Sequence, residues 1–272
     1  MARLARLPRL ARLARLPRLA QAGVVLVAAA SSACFPEYRY DLPAGGSDGY
    51  GDVVRQDGPV RWLRLEERAG ATRAVDSSGG PDAQLYGSPL WEQPGAIAGS
   101  AGTALRFDGV DTSVALAGPL GLIGAAEFSL EAWMRPLSIS DKNLFVFGNA
   151  VGAEAERDGY NLVVSMSGKV ALARWSNGTY GEARGAPVSE DEWHHVVGTF
   201  DGAVLRIYLD GVQGTPGEEL LLVDDESVSP TFGAPSAQGH PFFEGWLDEL
   251  AVYEQALTPE RVSAHHAAGR GK

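Results

Sequence analysis

The chain has 272 residues, 45% of them apolar and 21% charged, enough to bury a full core in one domain, or in one domain plus a tail. Its 34 acids against 23 bases give a net charge of −11, which argues against a surface that tracks nucleic acid or anionic lipid, since either needs a basic patch. The single cysteine excludes an internal disulfide, so stability must come from packing or from a bound metal.

Residues 1–19, MARLARLPRLARLARLPRL, are two copies of a nonamer with six arginines and no acid, and prolines at 8 and 17 argue against one continuous helix. The next run, AQAGVVLVAAASSAC, is too short to span a bilayer as a folded helix and ends in small residues. Together they predict a signal peptide over 1–33; the basic region is long for one, which leaves the true start codon open. Cys34 closes the cleavage zone after Ser31-Ser32-Ala33, and the stretch resembles a bacterial lipobox with Ser31 where a leucine is usual. The resemblance implies lipidation of Cys34 and an envelope location, on the cell surface or facing the periplasm. The alternative is a plain signal cleaved near Ala33 and a secreted chain with a free thiol. Cleavage removes six of the 23 bases and no acid, carrying the net charge from −11 to −17. Residues 34–58, rich in Gly, Asp and Pro without a period, predict a flexible tether before a domain over 59–270.

Within that domain short alternating runs are separated by turns at Asp108-Gly109, Ser167-Gly168, Asn177-Gly178, Asp201-Gly202 and Asp210-Gly211. The runs are 104–109, 128–136, 144–148, 161–166, 169–175, 194–200, 203–209 and 245–253. They predict an all-β, two-sheet antiparallel sandwich of jelly-roll type. One short helix is signalled at the C-terminus, with Thr258 as N-cap, Pro259 at its first position and Gly269 at its end.

Five motifs follow in order: RWLRLEERAGATRAVDSSG, GTALRFDGVDTSVAL, FSLEAWMRP, DEWHHVVGTFDGAVLRIYLDG and GWLDELAVYEQALTPERV. Their succession over about 60–268 resembles the laminin-G-like, concanavalin A-like jelly roll of many bacterial surface proteins. The resemblance implies two packed antiparallel sheets with glycan or protein ligands on a concave face or rim. It does not fix a function, because the scaffold also carries enzymes and spacers.

The adjacent His194 and His195 point to opposite faces of a strand and cannot share a metal. Closing the hairpin at Asp201-Gly202 so that Phe200 opposes Ala203 puts Val196, Phe200, Leu205, Ile207 and Leu209 on the core face with His194; His195, Val197, Arg206 and Tyr208 take the other. His265 and His266, about 100° apart on the terminal helix, make no chelate either. No nucleophile motif is tied to these histidines. No strand carries the E-x-D-x-x-E acids of laminarinase-type relatives; EAERDG at 154–159 and EDEW at 190–193 read as polar loops, so no enzymatic activity is expected.

Collecting the side chains opposite the apolar stripes gives a candidate ligand face of Glu131, Trp133, Asn161, Arg174, His195, Arg206 and Tyr208: an aromatic amid hydrogen-bonding groups. The competing reading has Trp133 capped by the loop after Gly148. The resemblance also implies structural calcium, with Asp248 matching the family's aspartate on the last long strand; Asp76 and backbone carbonyls near Gly102 are candidate co-ligands. Otherwise Asp248 only hydrogen-bonds a neighbouring strand. The expectation is a non-catalytic extracytoplasmic module for a glycan or a cell-surface protein, touching membrane only through its anchor and not binding nucleic acid. A structural or adhesive spacer comes second, and a glycoside hydrolase or lyase third.

Overall fold

The computed structural model describes residues 49–139, 143–150, 157–218, 227–234 and 242–272. The predicted signal peptide, Cys34 and residues 34–48 of the predicted tether lie outside them. In chain order come helix α1 (Gly49–Gln56) and strands β1 (Arg61–Leu63), β2 (Arg73–Ala74), β3 (Ala83–Tyr86), β4 (Leu90–Pro94), β5 (Thr103–Asp108) and β6 (Ser113–Ala115). Then follow β7 (Phe128–Pro136), β8 (Leu144–Gly148), β9 (Gly159–Val164), β10 (Lys169–Ser176), β11 (Thr179–Pro187), β12 (His194–Phe200) and β13 (Val204–Leu209). The last are β14 (Val212–Gln213), β15 (Gly217–Glu218), β16 (Thr231–Phe232), β17 (Glu244–Tyr253) and helix α2 (Pro259–Gly269).

Among the described residues the strands form two antiparallel sheets. The first runs β14-β13-β12-β7-β17-β5-β4, with β1 added on β17 and β15 on β13; the second runs β11-β10-β9-β8-β16-β6-β3-β2. This is the expected all-β sandwich. Between the sheets lie the alternating apolar side chains of the long strands, among them Phe128, Leu130, Tyr160, Leu162, Leu172, Val196, Phe200 and Ile207. Such β-branched and aromatic residues fit a pleated, half-buried surface, and their removal from water is the main stabilising term.

Two local expectations are corrected. Residues 49–56 are helix α1 rather than tether: Tyr50 and Val54 are buried, so the domain starts before residue 59. In the β12–β13 hairpin, Phe200 opposes Leu205, not Ala203, because Asp201 Oδ1 accepts the N–H groups of Ala203 and Val204 and holds a longer turn with Gly202 at φ +87°. The register moves by two residues, which leaves every side chain on its expected face.

The outer face of the first sheet carries a second apolar cluster that includes Tyr50, Val54, Trp62, Trp133, Val197, Tyr208, Tyr253 and Val262. Helices α1 and α2 supply part of it and pack against each other. As expected, α2 starts with the Thr258 side chain accepting the Arg261 N–H and with Pro259 at the first position.

Candidate functional site

The predicted ligand face divides among three places. Glu131, Trp133 and His195 have no exposed surface, and Tyr208 keeps 1%. Here the structure corrects the expectation: α2 covers this part of the first sheet, while residues 151–156 of the loop after Gly148 lie outside the described residues. A Cβ at Gly269 would stand 2.2 Å from the Trp133 ring, so the end of α2 rests on the indole. Trp133 also packs edge-on to Tyr50 at 6.2 Å and against His195 at 5.0 Å. A ring so enclosed offers a sugar no face. Arg206, on the same side, is tied to Asp201 at the hairpin turn.

Beneath the helices the Glu131 carboxylate accepts four donors: Tyr50 Oη at 3.0 Å, Tyr253 Oη at 2.6 Å, His195 Nε2 at 2.7 Å and His265 Nδ1 at 3.0 Å. His265 Nε2 reaches Asp57 Oδ2 at 2.7 Å, and Arg261 closes on the same aspartate. With a carboxylate on each nitrogen, His265 donates twice and is an imidazolium. Burial alone would push Glu131 up, but the charge of His265 and the bonds from both histidines hold it well below the usual range. Burial pulls His265 down, and Glu131 and Asp57 more than reverse this, so its pKa is raised. Five elements, α1, β7, β12, β17 and α2, meet in this latch; it is structural, not a ligand site.

His194 makes a different arrangement. Its Nδ1 lies 2.8 Å from Asp210 Oδ2 and its Nε2 3.3 Å from Ser189 Oγ, in outline a nucleophile relay. The protons run otherwise. Nε2 accepts the Ser189 backbone N–H at 3.1 Å, and Ser189 Oγ donates to Glu192 Oε2 at 2.7 Å. The group fastens the β11–β12 turn to the end of β13.

The calcium candidates also separate. Asp248 Oδ2 accepts the Ala96 N–H at 2.8 Å and Oδ1 the Glu249 N–H at 2.9 Å. A Cβ at Gly95 would lie 2.6 Å from the Gly102 carbonyl oxygen and 3.1 Å from Asp248 Oδ2, so these two oxygens border one small space. Oxygen donors of this kind suit calcium. Asp76 does not join them; its Oδ1 accepts the N–H groups of Trp62 and Ser78 and the Ser78 hydroxyl. Among the described residues no three His, Cys, Asp or Glu side chains gather around a metal position. Asp248 and Glu249 sit at a bulge in β17, with Glu249 at φ +50°. Burial, reinforced by Glu249, raises Asp248 well above the carboxylate range; burial raises Glu249 to about 8 against the pull of Arg64.

Arg174 and Asn161 lie on the second sheet, on opposite faces. In the β9–β10 pairing Arg174 stands across from Tyr160, so it points into the sandwich, with its guanidinium 4.0 Å from the Phe200 ring centroid. This overturns the expected placement of Arg174. Asn161 pairs with Ala173 on the outer face, where its Oδ1 accepts the Asn149 N–H at 3.2 Å.

That outer face holds a constellation absent from the expected set. The β10–β11 register puts Trp175 across from Tyr180, Ala173 across from Glu182 and Ala171 across from Arg184. Phe145, Val163 and Ala171 form a small apolar cluster beside them. The rings of Trp175 and Tyr180 are 5.2 Å apart and tilted by 44°, and the Arg157 guanidinium stands 5.4 Å over Trp175. Tyr180 Oη and Arg184 Nε both donate to Glu182. Tyr180 remains 44% exposed and Trp175 half-buried. The sequence signal was the pair Trp175 and Tyr180 flanking the Asn177-Gly178 turn.

The sequence matches the family described as the concanavalin A-like lectin/glucanases superfamily over residues 108–263. The fold is similar to domain 4 of AbnA, a GH43 extracellular arabinanase from Geobacillus stearothermophilus, solved in complex with arabinotriose. The TM-score is 0.60 and identity 22%, over 76% of this chain and 98% of that one. It is also similar to the botulinum neurotoxin serotype D binding domain, with a TM-score of 0.56 and identity 14%, over 80% of this chain and 52% of that one. The serotype D ligand binding domain in complex with N-acetylneuraminic acid gives a TM-score of 0.54 and identity 14%, over 80% of this chain and 52% of that one. The match spans about half of each of these two toxin chains. At these identities the likeness is one of fold.

Proposed function

Since the chain belongs to the concanavalin A-like lectin/glucanases superfamily, we propose that it is a non-catalytic, extracytoplasmic glycan-binding module whose ligand lies on the outer face of the second sheet. The observation that carries this reading is the Trp175 and Tyr180 pair, aromatic, partly open and bordered by polar and charged groups. An aromatic ring stacks on the apolar face of a sugar while neighbouring donors and acceptors read its hydroxyls. Solved relatives of the same fold bound to arabinotriose and to N-acetylneuraminic acid support the choice of a glycan. A glycan array probed with the full-length chain in detergent tests it. Binding that Tyr180→Ala weakens supports the module; an array without a saccharide ligand favours the spacer reading, to which the covered face of the first sheet already lends itself.

Two further parts belong to this proposal. Cys34 carries a lipid anchor, and Cys34→Ser then moves the protein from the membrane to the soluble fraction; unchanged fractionation removes the anchor. Calcium, if held, sits between Asp248 and the Gly102 carbonyl and steadies the end of β17.

A further inference from the structure

We propose that the ligand of the second-sheet face is an acidic sugar, whose carboxylate pairs with Arg157. The inference rests on that face being the glycan site, and it adds the charge of the ligand. Arg157 is placed by its own backbone: its carbonyl accepts the Gly178 N–H at 2.9 Å, which fixes residue 157 beside the β10–β11 turn. Its guanidinium lies over the Trp175 ring, and its Nε is enclosed without a hydrogen-bond partner. The nearby carboxylate is already committed, since Glu182 accepts from both Tyr180 Oη and Arg184 Nε. Among the described residues no carboxylate forms an ion pair with Arg157, and its guanidinium lies beside the aromatic pair.

A guanidinium presents its two terminal N–H groups as a planar fork that matches a carboxylate in two parallel bonds. A neutral sugar offers only hydroxyls, which pair with a charged fork less strongly. A uronate stacked on Tyr180 satisfies both ring and fork.

The test uses the full-length chain in detergent and two probes, an oligogalacturonate and its uncharged methyl ester, with a neutral arabino-oligosaccharide as control. The acid should bind at least tenfold more tightly than the ester, and its affinity should fall as salt is raised. Arg157→Gln should weaken the acid by about ten- to hundredfold and leave the ester unchanged, a loss of the size expected for one charged hydrogen-bonded contact. Arg157→Lys, which keeps the charge but not the fork, should fall between. Equal binding of acid and ester, or an Arg157→Gln protein that holds the acid as tightly as wild type, overturns the inference. If a neutral saccharide binds and Tyr180→Ala abolishes it while Arg157→Gln does not, the face is a glycan site without acid preference. If no saccharide binds, both readings fall.

Discussion

The two outer faces of the sandwich, built from strands of similar composition, have opposite fates. On the first sheet an aromatic surrounded by polar groups is sealed under two helices, with Trp133 fully buried and Glu131 satisfied by four donors. On the second sheet an aromatic pair stays open, with Tyr180 at 44% exposure. Tryptophan, histidine and glutamate on one side of a strand therefore do not by themselves mark a binding face. What decides is whether another element covers them, and here that element comes from the two ends of the domain.

The largest way to break the contrast is to open the sealed face. Glu131→Ala leaves His265, His195 and two tyrosine hydroxyls without their acceptor, and removing one partner of a buried charged network costs about 3–5 kcal/mol. At roughly 2–4 °C per kcal/mol for a domain of this size, the melting temperature should fall by roughly 10 °C or more, as read by calorimetry. A change below about 2 °C would mean that α1 and α2 are not held by this latch.

Calcium comes next in size. If Asp248 and the Gly102 carbonyl hold it, calcium at a hundred times its dissociation constant stabilises the fold by about 2.7 kcal/mol. Chelation should then lower the wild-type melting temperature by several degrees, and Asp248→Asn should be nearly indifferent to chelator. A wild type equally stable in millimolar calcium and in chelator removes the metal and leaves Asp248 bonded to Ala96 and Glu249 alone.

A pH series sharpens the comparison further. His265 is raised above its ordinary 6.5, so its contribution is whole below that pH and is lost as pH rises through the folded value. Glu131 is lowered below its ordinary 4.5, so its contribution is whole above that pH and is lost as pH falls through the folded value. Glu249 is raised to about 8, and its contribution declines from its ordinary 4.5 up to about 8. The melting temperature should therefore be highest in mildly acidic buffer and decline toward pH 8 and above. His265→Gln should weaken the alkaline decline without abolishing it, because the Glu249 part remains. A melting temperature that rises steadily from pH 5 to pH 9 would contradict both assignments.

How much of this was legible in the sequence follows from parity. Long strands with clear alternation, such as β7, β12 and β17, were readable, and so were the caps of α2. Strand β11 was not, because Gly181, Gly185 and Pro187 dilute its pattern at a sheet edge. The short strands β2, β14, β15 and β16 pair through two residues each and leave too little pattern to read. At Asp201 the hairpin shifted by two residues and the face assignments survived. At Ser167 the pairing of Val164 with Val170 makes an odd loop, one residue from the two-residue turn at Ser167-Gly168 that would put Asn161 and Arg174 on one face, and that single step sent Arg174 inward and Trp175 outward. The cover over Trp133 was hidden for another reason: α1 occupies a Gly- and Asp-rich stretch with no helical signal, and no spacing along the chain says which face a terminal helix will close.

The most direct test of which face binds is a saccharide titration of Tyr180→Ala against wild type, with the melting temperature measured in parallel. Tyr180 is partly exposed and outside the interior core, so its truncation should shift stability by no more than about 1 kcal/mol. The expected result is at least a tenfold loss of affinity with the melting temperature within about 3 °C of wild type. A saccharide that binds Tyr180→Ala and Trp175→Ala as tightly as it binds wild type would contradict the account and move the site off the second sheet.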